Sequence, residues 1–481
     1  MAETLKEKTA KGLFWGGLSN GLQQVLNLVF GIFLARLLST EDYGMIGMLT
    51  IFSSIAVSLQ EGGFVSALNR KTDVSYKDYN AVFWTSLLTS IFLYTILFFC
   101  APLISKFYGI PELTPLARYV FIAFVIGSLG VVPNAYMFRN MMIRERAIAS
   151  IFSLVVSGFV GIIMAALGFA YWGIATQTII FLVVITSLSY YFTKWHPTLH
   201  IDFSPIKELF GFSSKLIVTN IFNIINGNIF SVILGKMYTP HDVGNYTQAN
   251  KWNNMGSSLV NGMLGGIAQP VFAKTNDDME RQKKIFRKLL RFTAFISFPA
   301  MFGLALVSKE FIVILLTDKW FESAQMMQLL CIAGAFAPIS SLFSNLIISR
   351  GHSTTYMWCT ISLCVLQLIS AIIAAPYGIN YMIILYICIN IGWIAVWHHY
   401  ARNEINLKKR EVFRDIIFYL VISVVLVLIA EFALSPIDNI YLRMMAKILF
   451  VASLYCLILF LSHSIIFKEV INYIRGRSIS I

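Results

Sequence analysis

The chain has 481 residues with a mean hydropathy of +0.73, 57% of them hydrophobic and 13% charged, where soluble proteins carry about 25% charged residues. That balance excludes a soluble globular protein and places the chain in the integral membrane class. The formal net charge of +13 does not by itself point to nucleic acid, because membrane proteins concentrate Lys and Arg in cytoplasmic loops.

The N-terminal dozen residues, MAETLKEKTAKG, are polar and charged, and no small-residue cleavage site follows a short apolar region; the first apolar run is expected to remain in the mature protein. Spans of about 20 residues are expected near 14–37, 43–66, 81–105, 115–138, 149–169, 171–191, 216–238, 245–273, 292–308, 326–349, 355–375, 381–399, 415–435 and 444–467, fourteen in all. With the N-terminus inside, the segments on the cytoplasmic side hold 28 of the 37 Lys and Arg. This asymmetry places both termini inside and reads the basic balance as a topology signal, with a second role in holding anionic headgroups.

The first span carries a polar stripe of Asn20, Gln23, Gln24, Asn27 and Gly31, whose spacing puts them on one helix face. Adding 200 to each position gives Asn220, Asn223, Ile224, Gly227 and Ser231 in the seventh span. The second span carries Ser54, Ser58, Glu61 and Gly62; its counterpart, the eighth, carries Lys251, Asn254, Ser258, Asn261, Gly262, Gly265 and Gln269. The links repeat too, Arg36, Ser39, Asp42 and Gly44 being answered by Lys236, Thr239, Asp242 and Gly244. The pattern is an internal duplication of six-span halves. Six being even, the halves are parallel repeats about an axis along the membrane normal, which places a substrate site at their interface.

This divides the chain into an N-lobe (1–191), a cytoplasmic linker (192–215) with a short interfacial helix expected around Ile206 to Phe212, a C-lobe (216–399), and an appendage of two spans and a tail (400–481). Outer loops are short, only the stretch after Lys309 being long enough for a small re-entrant or surface helix. The cysteines, six in number, lie in apolar runs without metal or redox spacing and read as small buried hydrophobes.

Polar groups at membrane depth usually face a bundle interior or a water-filled cavity. If the four striped faces converge, they line one cavity rich in amides and hydroxyls, with one acid and up to three bases, suited to a polyhydroxylated or phosphorylated headgroup. Each residue also has a plainer reading. Arg36 and Lys236 sit near outer helix ends, where snorkelling is the commoner role. Lys251 lies about two turns into its span, Glu61 near an inner helix end, and single Asn or Gln groups often serve as interhelical glue. Arg118, Arg139, Arg144, Arg146 and the run from Arg281 to Arg291 read as topology and headgroup anchors, and the pair His398 and His399 as solvated. No P-loop, dinucleotide turn, metal cluster or nucleophile motif is present in the sequence, so no enzyme and no metal or organic cofactor are expected.

Several stretches resemble the Wzx-type polysaccharide flippases of the multidrug/oligosaccharidyl-lipid/polysaccharide exporter superfamily, especially the lipopolysaccharide biosynthesis transporters similar to the colanic acid exporter. They are ARLLSTEDYGMIGMLTIFSSIAVSLQEGGFVSALNRKTDVSYKDYNAVFW from Ala35, APLISKFYGIPELTPLARY from Ala101, PNAYMFRNMMIRERAI from Pro133 and LGKMYTPHDVGNYTQANKW from Leu234. The resemblance implies an all-α integral membrane fold of about fourteen helices, with two pseudo-symmetric six-helix lobes forming a V-shaped central cavity plus two extra C-terminal helices. It implies alternating access that moves a polyprenyl-diphosphate-linked oligosaccharide between leaflets of the cytoplasmic membrane. Polysaccharide polymerase and other pathway proteins would be partners, and nucleic acid would not. The family's basic cavity positions fall on Arg36 and Lys236, with Lys251 a third. Glu61 keeps an acid in the second helix and is the candidate proton or sodium site, whereas Phe230 stands where an Asp is expected in the seventh. Two competing readings are a multidrug or small-molecule exporter of the same fold and a membrane polymerase, ligase or lipid-dependent glycosyltransferase.

Overall fold

A computed structural model describes residues 5–61, 68, 71, 73–199 and 202–474. Among the described residues the regular structure is all helical, without strands. In chain order the helices are α1 (Leu5–Leu37), α2 (Thr40–Glu61), α3 (Tyr76–Tyr108), α4 (Leu113–Arg139), α5 (Ile143–Ala166), α6 (Tyr171–Thr193), α7 (Ser204–Met237), α8 (Pro240–Lys274), α9 (Met279–Leu306), α10 (Ser308–Leu316), α11 (Phe321–Ser349), α12 (Ser353–Ala374), α13 (Ile379–Ile405), α14 (Lys409–Leu434), α15 (Ile440–Leu461) and α16 (Ile465–Ile474).

Each of the fourteen expected spans falls on one of these helices. Among the described residues, twelve are long and apolar enough to cross a bilayer, which makes the chain a multi-pass membrane protein. The count of fourteen is thus not reached on apolarity. The two outside that count are α1, many of whose residues lie outside those whose side chains are described, and α8, in which the polar stripe dilutes the apolar run. The interfacial helix expected near 206–212 is not a separate element, since α7 runs unbroken through it for 34 residues. Pro205 sits at the first turn of α7, where its missing N–H costs nothing and its fixed φ suits a helix start. The surface helix expected after Lys309 is α10, followed by a short 3₁₀ turn at Asp318–Trp320.

The backbone contacts divide the chain into two compact units, Met1–Gly244 and Asn245–Ile481. In the first, α1 packs on α5, α3 on α4, α4 and α5 on α6, and α2 on α7. One of its cores joins Leu68, Val82, Phe83, Val132 and Trp195. In the second unit α9 is central, packing on α11 and α14, while α11 also packs on α13 and α14 on α15. Phe286, Phe298 and Phe343 are fully buried there. This division follows compactness, whereas the 1–191 and 216–399 halves follow the repeat; α7 belongs to the second repeat and to the first compact unit.

Candidate functional site: the repeated polar seams

In the first unit, Asn20, Gln24 and Asn27 of α1 are exposed along one face. Gln23 is half-buried, and its amide donates to Ser19 Oγ at 2.8 Å within the same helix. On α7, Asn220, Asn223 and Gly227 are exposed, and no atom lies within 4 Å of a Cβ placed on Gly227. Gly31 and Ser231, which end the two stripes, are buried, so only the earlier part of each seam lies off the faces by which α1 packs on α5 and α7 on α2.

On α2, Ser54 is half-buried, and Ser58 Oγ is buried with no hydrogen-bond partner among the described residues. Glu61 ends α2, and its side chain lies outside the described residues. Its neighbour Gln60, which the sequence pattern did not single out, is 3% exposed. With its amide turned to satisfy both ends, it donates to Ser90 Oγ (3.2 Å) and Phe124 O (3.0 Å) and accepts from Ser128 N (2.8 Å). Gln60 thus ties α2 to α3 and α4 and fixes the rotation of the stretch that carries Ser58 and Glu61.

The C-terminal ends of α1 and α7 hold the two bases that the repeat singles out in this unit. Arg36 is exposed in the last turn of α1. Lys236 donates to Phe107 O at 2.5 Å and its ammonium lies 4.9 Å from the Phe107 ring centre, so in this conformation it anchors α7 to the end of α3. In the second unit, Lys251, Asn254 and Ser258 of α8 are exposed. The Lys251 ammonium lies 5.9 Å from the neighbouring Trp252 ring, Ser258 Oγ bonds back to Met255 O at 3.0 Å, and half-buried Asn261 keeps Oδ1 without a partner among the described residues.

The repeated links explain themselves structurally. Asp42 Oδ2 accepts from Ser39 N and Oγ, both at 2.9 Å. Asp242 Oδ2 accepts from Thr239 N at 3.0 Å and Oγ1 at 2.6 Å. Both are capping boxes, which satisfy the orphan donors of a helix start. Immediately inside them the two helix starts touch backbone to backbone. A Cβ on Gly44 would stand 1.8 Å from Pro240 O, and one on Gly244 would stand 1.8 Å from Thr40 O. Only glycine permits such an approach. Thr40 Oγ1 lies 2.6 Å from His241 Nδ1, and Glu41 Oε1 lies 3.3 Å from the same nitrogen. The glycines and caps spaced 200 apart form one reciprocal crossing at the N-terminal ends of α2 and α8.

Several basic residues read as headgroup anchors have other work. Arg139 clamps the segment after α2, donating to Leu68 O at 2.8 Å and Lys71 O at 2.7 Å. Arg287 forms a two-pronged pair with Asp415 (2.7 and 3.0 Å) and reaches Glu411 (3.1 Å), while Arg291 binds Asp415 at 2.7 Å. His398 is buried rather than solvated, its Nε2 lying 3.1 Å from Leu407 O. At the other end of the same helices, buried Lys447 lies 2.9 Å from buried Glu310 and 2.7 Å from Glu431, with Arg443 Nε 2.7 Å from Glu310.

The described residues form a multi-pass all-helical fold with polar seams along several of its helices, and known proteins share that fold. Over 96% of this chain and 99% of the other, the fold matches the lipid II flippase MurJ in an inward closed conformation, with a TM-score of 0.72 at 16% identity. An inward-facing multidrug resistance transporter of the MATE family matches over 80% of this chain and 94% of its own, with a TM-score of 0.65 at 18% identity. In sequence, the chain is 26% identical over 359 residues to the lipopolysaccharide biosynthesis protein WzxC of Escherichia coli (strain K12), covering 73% of this chain and 71% of that one. The polysaccharide biosynthesis protein family matches residues 33–325, and the chain belongs to that family.

Proposed function

We propose that the protein is a secondary transporter that flips a polyprenyl-diphosphate-linked oligosaccharide repeat unit across the cytoplasmic membrane by alternating access, supplying O-antigen, capsule or exopolysaccharide synthesis. The observation that carries the reading is the exposed amide seam, written twice, in a member of this family with a flippase-like fold. Asn20, Gln23, Gln24 and Asn27, Asn220 and Asn223, and Asn254, Ser258 and Asn261 hold sugar hydroxyls. Arg36, Lys236 and Lys251 neutralise the diphosphate while the polyprenyl tail stays in lipid. Lys236 serves that role only after releasing Phe107. No covalent step is needed.

A proton or sodium gradient drives uphill flipping, and Glu61 is the coupling site, a carboxylate at membrane depth being able to titrate nearer neutral pH than one in water. Both termini lie in the cytoplasm, following the distribution of Lys and Arg, and a polysaccharide polymerase and other pathway proteins receive the cargo. Glu61→Gln and Lys251→Ala, compared with wild type at matched protein level, are expected to lower surface polysaccharide at least tenfold. Wild-type export by both variants removes those roles.

The similarity to a multidrug transporter supports a second reading, export of an organic cation. Such cargo calls for acidic and aromatic walls, and the seams here are amides with basic additions. Purified protein in liposomes is expected to flip lipid-linked glycan and not to move a cationic dye; the reverse result selects the second reading.

A further inference from the structure

The second unit contains a cavity of about 360 Å³ that lies apart from the seams, where the basic first half of α9 meets the start of α14 and the C-terminal helix α16. Its cations are Lys283, Lys284, Arg287, Lys288 and Arg291, and its carboxylates are Glu280, Glu411 and Glu469, with Asp415 beneath. The acids are unequal. Asp415, 3% exposed, is consumed by Arg287 and Arg291. Glu411 takes Arg287 and Lys283, each at 3.1 Å, and accepts Lys408 N at 2.9 Å. These two carboxylates hold the guanidinium groups and Lys283 in place from behind.

The front of the cavity differs. Lys288 meets Glu469 at 2.9 Å, with both side chains partly exposed, a rim pair that contributes little and exchanges readily. Lys284, one turn before Lys288 on the same helical row, has no carboxylate partner among the described residues. The cavity therefore offers an anion two ammonium groups, with the guanidinium edge of Arg291 behind them.

Its depth selects the kind of anion. The helix that bears these cations enters the apolar core within a turn, Leu290, Ala294 and Phe298 being fully buried. The wall on the opposite side, α16, packs through buried Ile466, and its Phe467 ring lies 6.4 Å from Phe295. Phe413 of α14, beside Glu411 in sequence, is 64% exposed and offers an apolar flank. A basic pocket between helices at the border of the apolar region is the arrangement that holds lipid phosphates.

We infer that this cavity binds the phosphate headgroup of an anionic phospholipid from the leaflet faced by the basic loops, with Lys284 and Lys288 as its principal contacts. The site is independent of the transported cargo. It also gives α16 a purpose, because Glu469 closes the rim when the headgroup is absent and yields Lys288 when it is present.

The test is equilibrium binding of fluorescent phosphatidylglycerol to the full-length detergent-solubilised protein, with phosphatidylethanolamine and inorganic pyrophosphate as competitors. Phosphatidylglycerol is expected to bind and to be displaced by neither competitor. Lys284→Gln is expected to weaken it about fivefold and the Lys284→Gln/Lys288→Gln pair about 25-fold, from about 1 kcal/mol per basic residue near a lipid surface. Lys106→Gln, at the far end of α3, should bind as wild type. Lys284→Gln breaks no ion pair, so an unchanged melting midpoint separates lost binding from lost folding. Equal affinity of wild type and the double variant, displacement by phosphatidylethanolamine, or displacement by pyrophosphate would each overturn the assignment.

Discussion

At the scale of single residues, the seams and the clamps use the same side-chain chemistry for opposite ends. Gln60 and Gln24 are both amides in apolar helices, yet Gln60 is buried with its hydrogen-bonding groups matched to α3 and α4 while Gln24 stays exposed. An amide that spends its bonds on neighbouring helices is structural, and one left facing outward is not held to that work. Gln60→Leu should therefore lower stability, since it removes the bonds that tie α2 to Ser90 Oγ, Phe124 O and Ser128 N; a typical intramolecular hydrogen bond contributes about 0.5–1.5 kcal/mol. A melting curve of the solubilised protein should show the fall, whereas Gln24→Leu should melt as wild type. Sequence spacing put Gln24 on the repeated stripe and left Gln60 off it, but gave no sign of Gln60's clamp, because that depends on neighbours distant in sequence.

At the scale of elements, the reciprocal glycine crossing is the sharpest constraint on how α2 and α8 start. Replacing Gly44 by Ala puts a methyl 1.8 Å from Pro240 O, a distance no rotamer change relieves, because the obstacle is backbone. Gly44→Ala and Gly244→Ala are each expected to force the helix starts apart, and labelling of a cysteine placed at Thr40 by a membrane-impermeant maleimide should rise several-fold. Gly262→Ala, with nothing within 4 Å of the added carbon, should leave labelling unchanged. The repeat of Ser39, Asp42 and Gly44 as Thr239, Asp242 and Gly244 was legible as a motif in the sequence. Its meaning was not, since a capping box is local while the meeting of two helix starts 200 residues apart is tertiary.

The same scale accounts for α14 and α15, which read in sequence as an appendage outside the duplication. Ion clusters pin them at both ends, Asp415 with Arg287 and Arg291 at one and Lys447 with Glu310 at the other. Asp415→Ala leaves two guanidinium groups in a largely buried site, and removing one partner of a buried pair costs about 3–5 kcal/mol. Arg287 and Arg291 remain partly exposed, so the lower end of that range is expected, about 3 kcal/mol, as a drop in melting midpoint.

At the scale of the whole molecule, the second unit closes its own charges only when the C-terminal helices are present. A chain ending near residue 400 strands Glu310, 2% exposed, together with Arg287 and Arg291. Such a truncation is expected to accumulate poorly in membranes, even though both six-span repeats are intact. Wild-type accumulation, measured by immunoblot of washed membranes, would show that the clamps are dispensable.

The amino-acid sequence by itself determined the membrane class, the positions of the helices and the duplication. Apolarity, helical period and a fixed offset are properties of residues along the chain and need no knowledge of neighbours. Tertiary structure alone decided the employment of each charge: Arg139, Arg287 and Arg291 became clamps, His398 became buried, and the two glycine-marked links became one crossing. Partners distant in sequence are chosen by packing, and the energy of a buried charge or amide depends on which group stands opposite it rather than on where it lies along the chain.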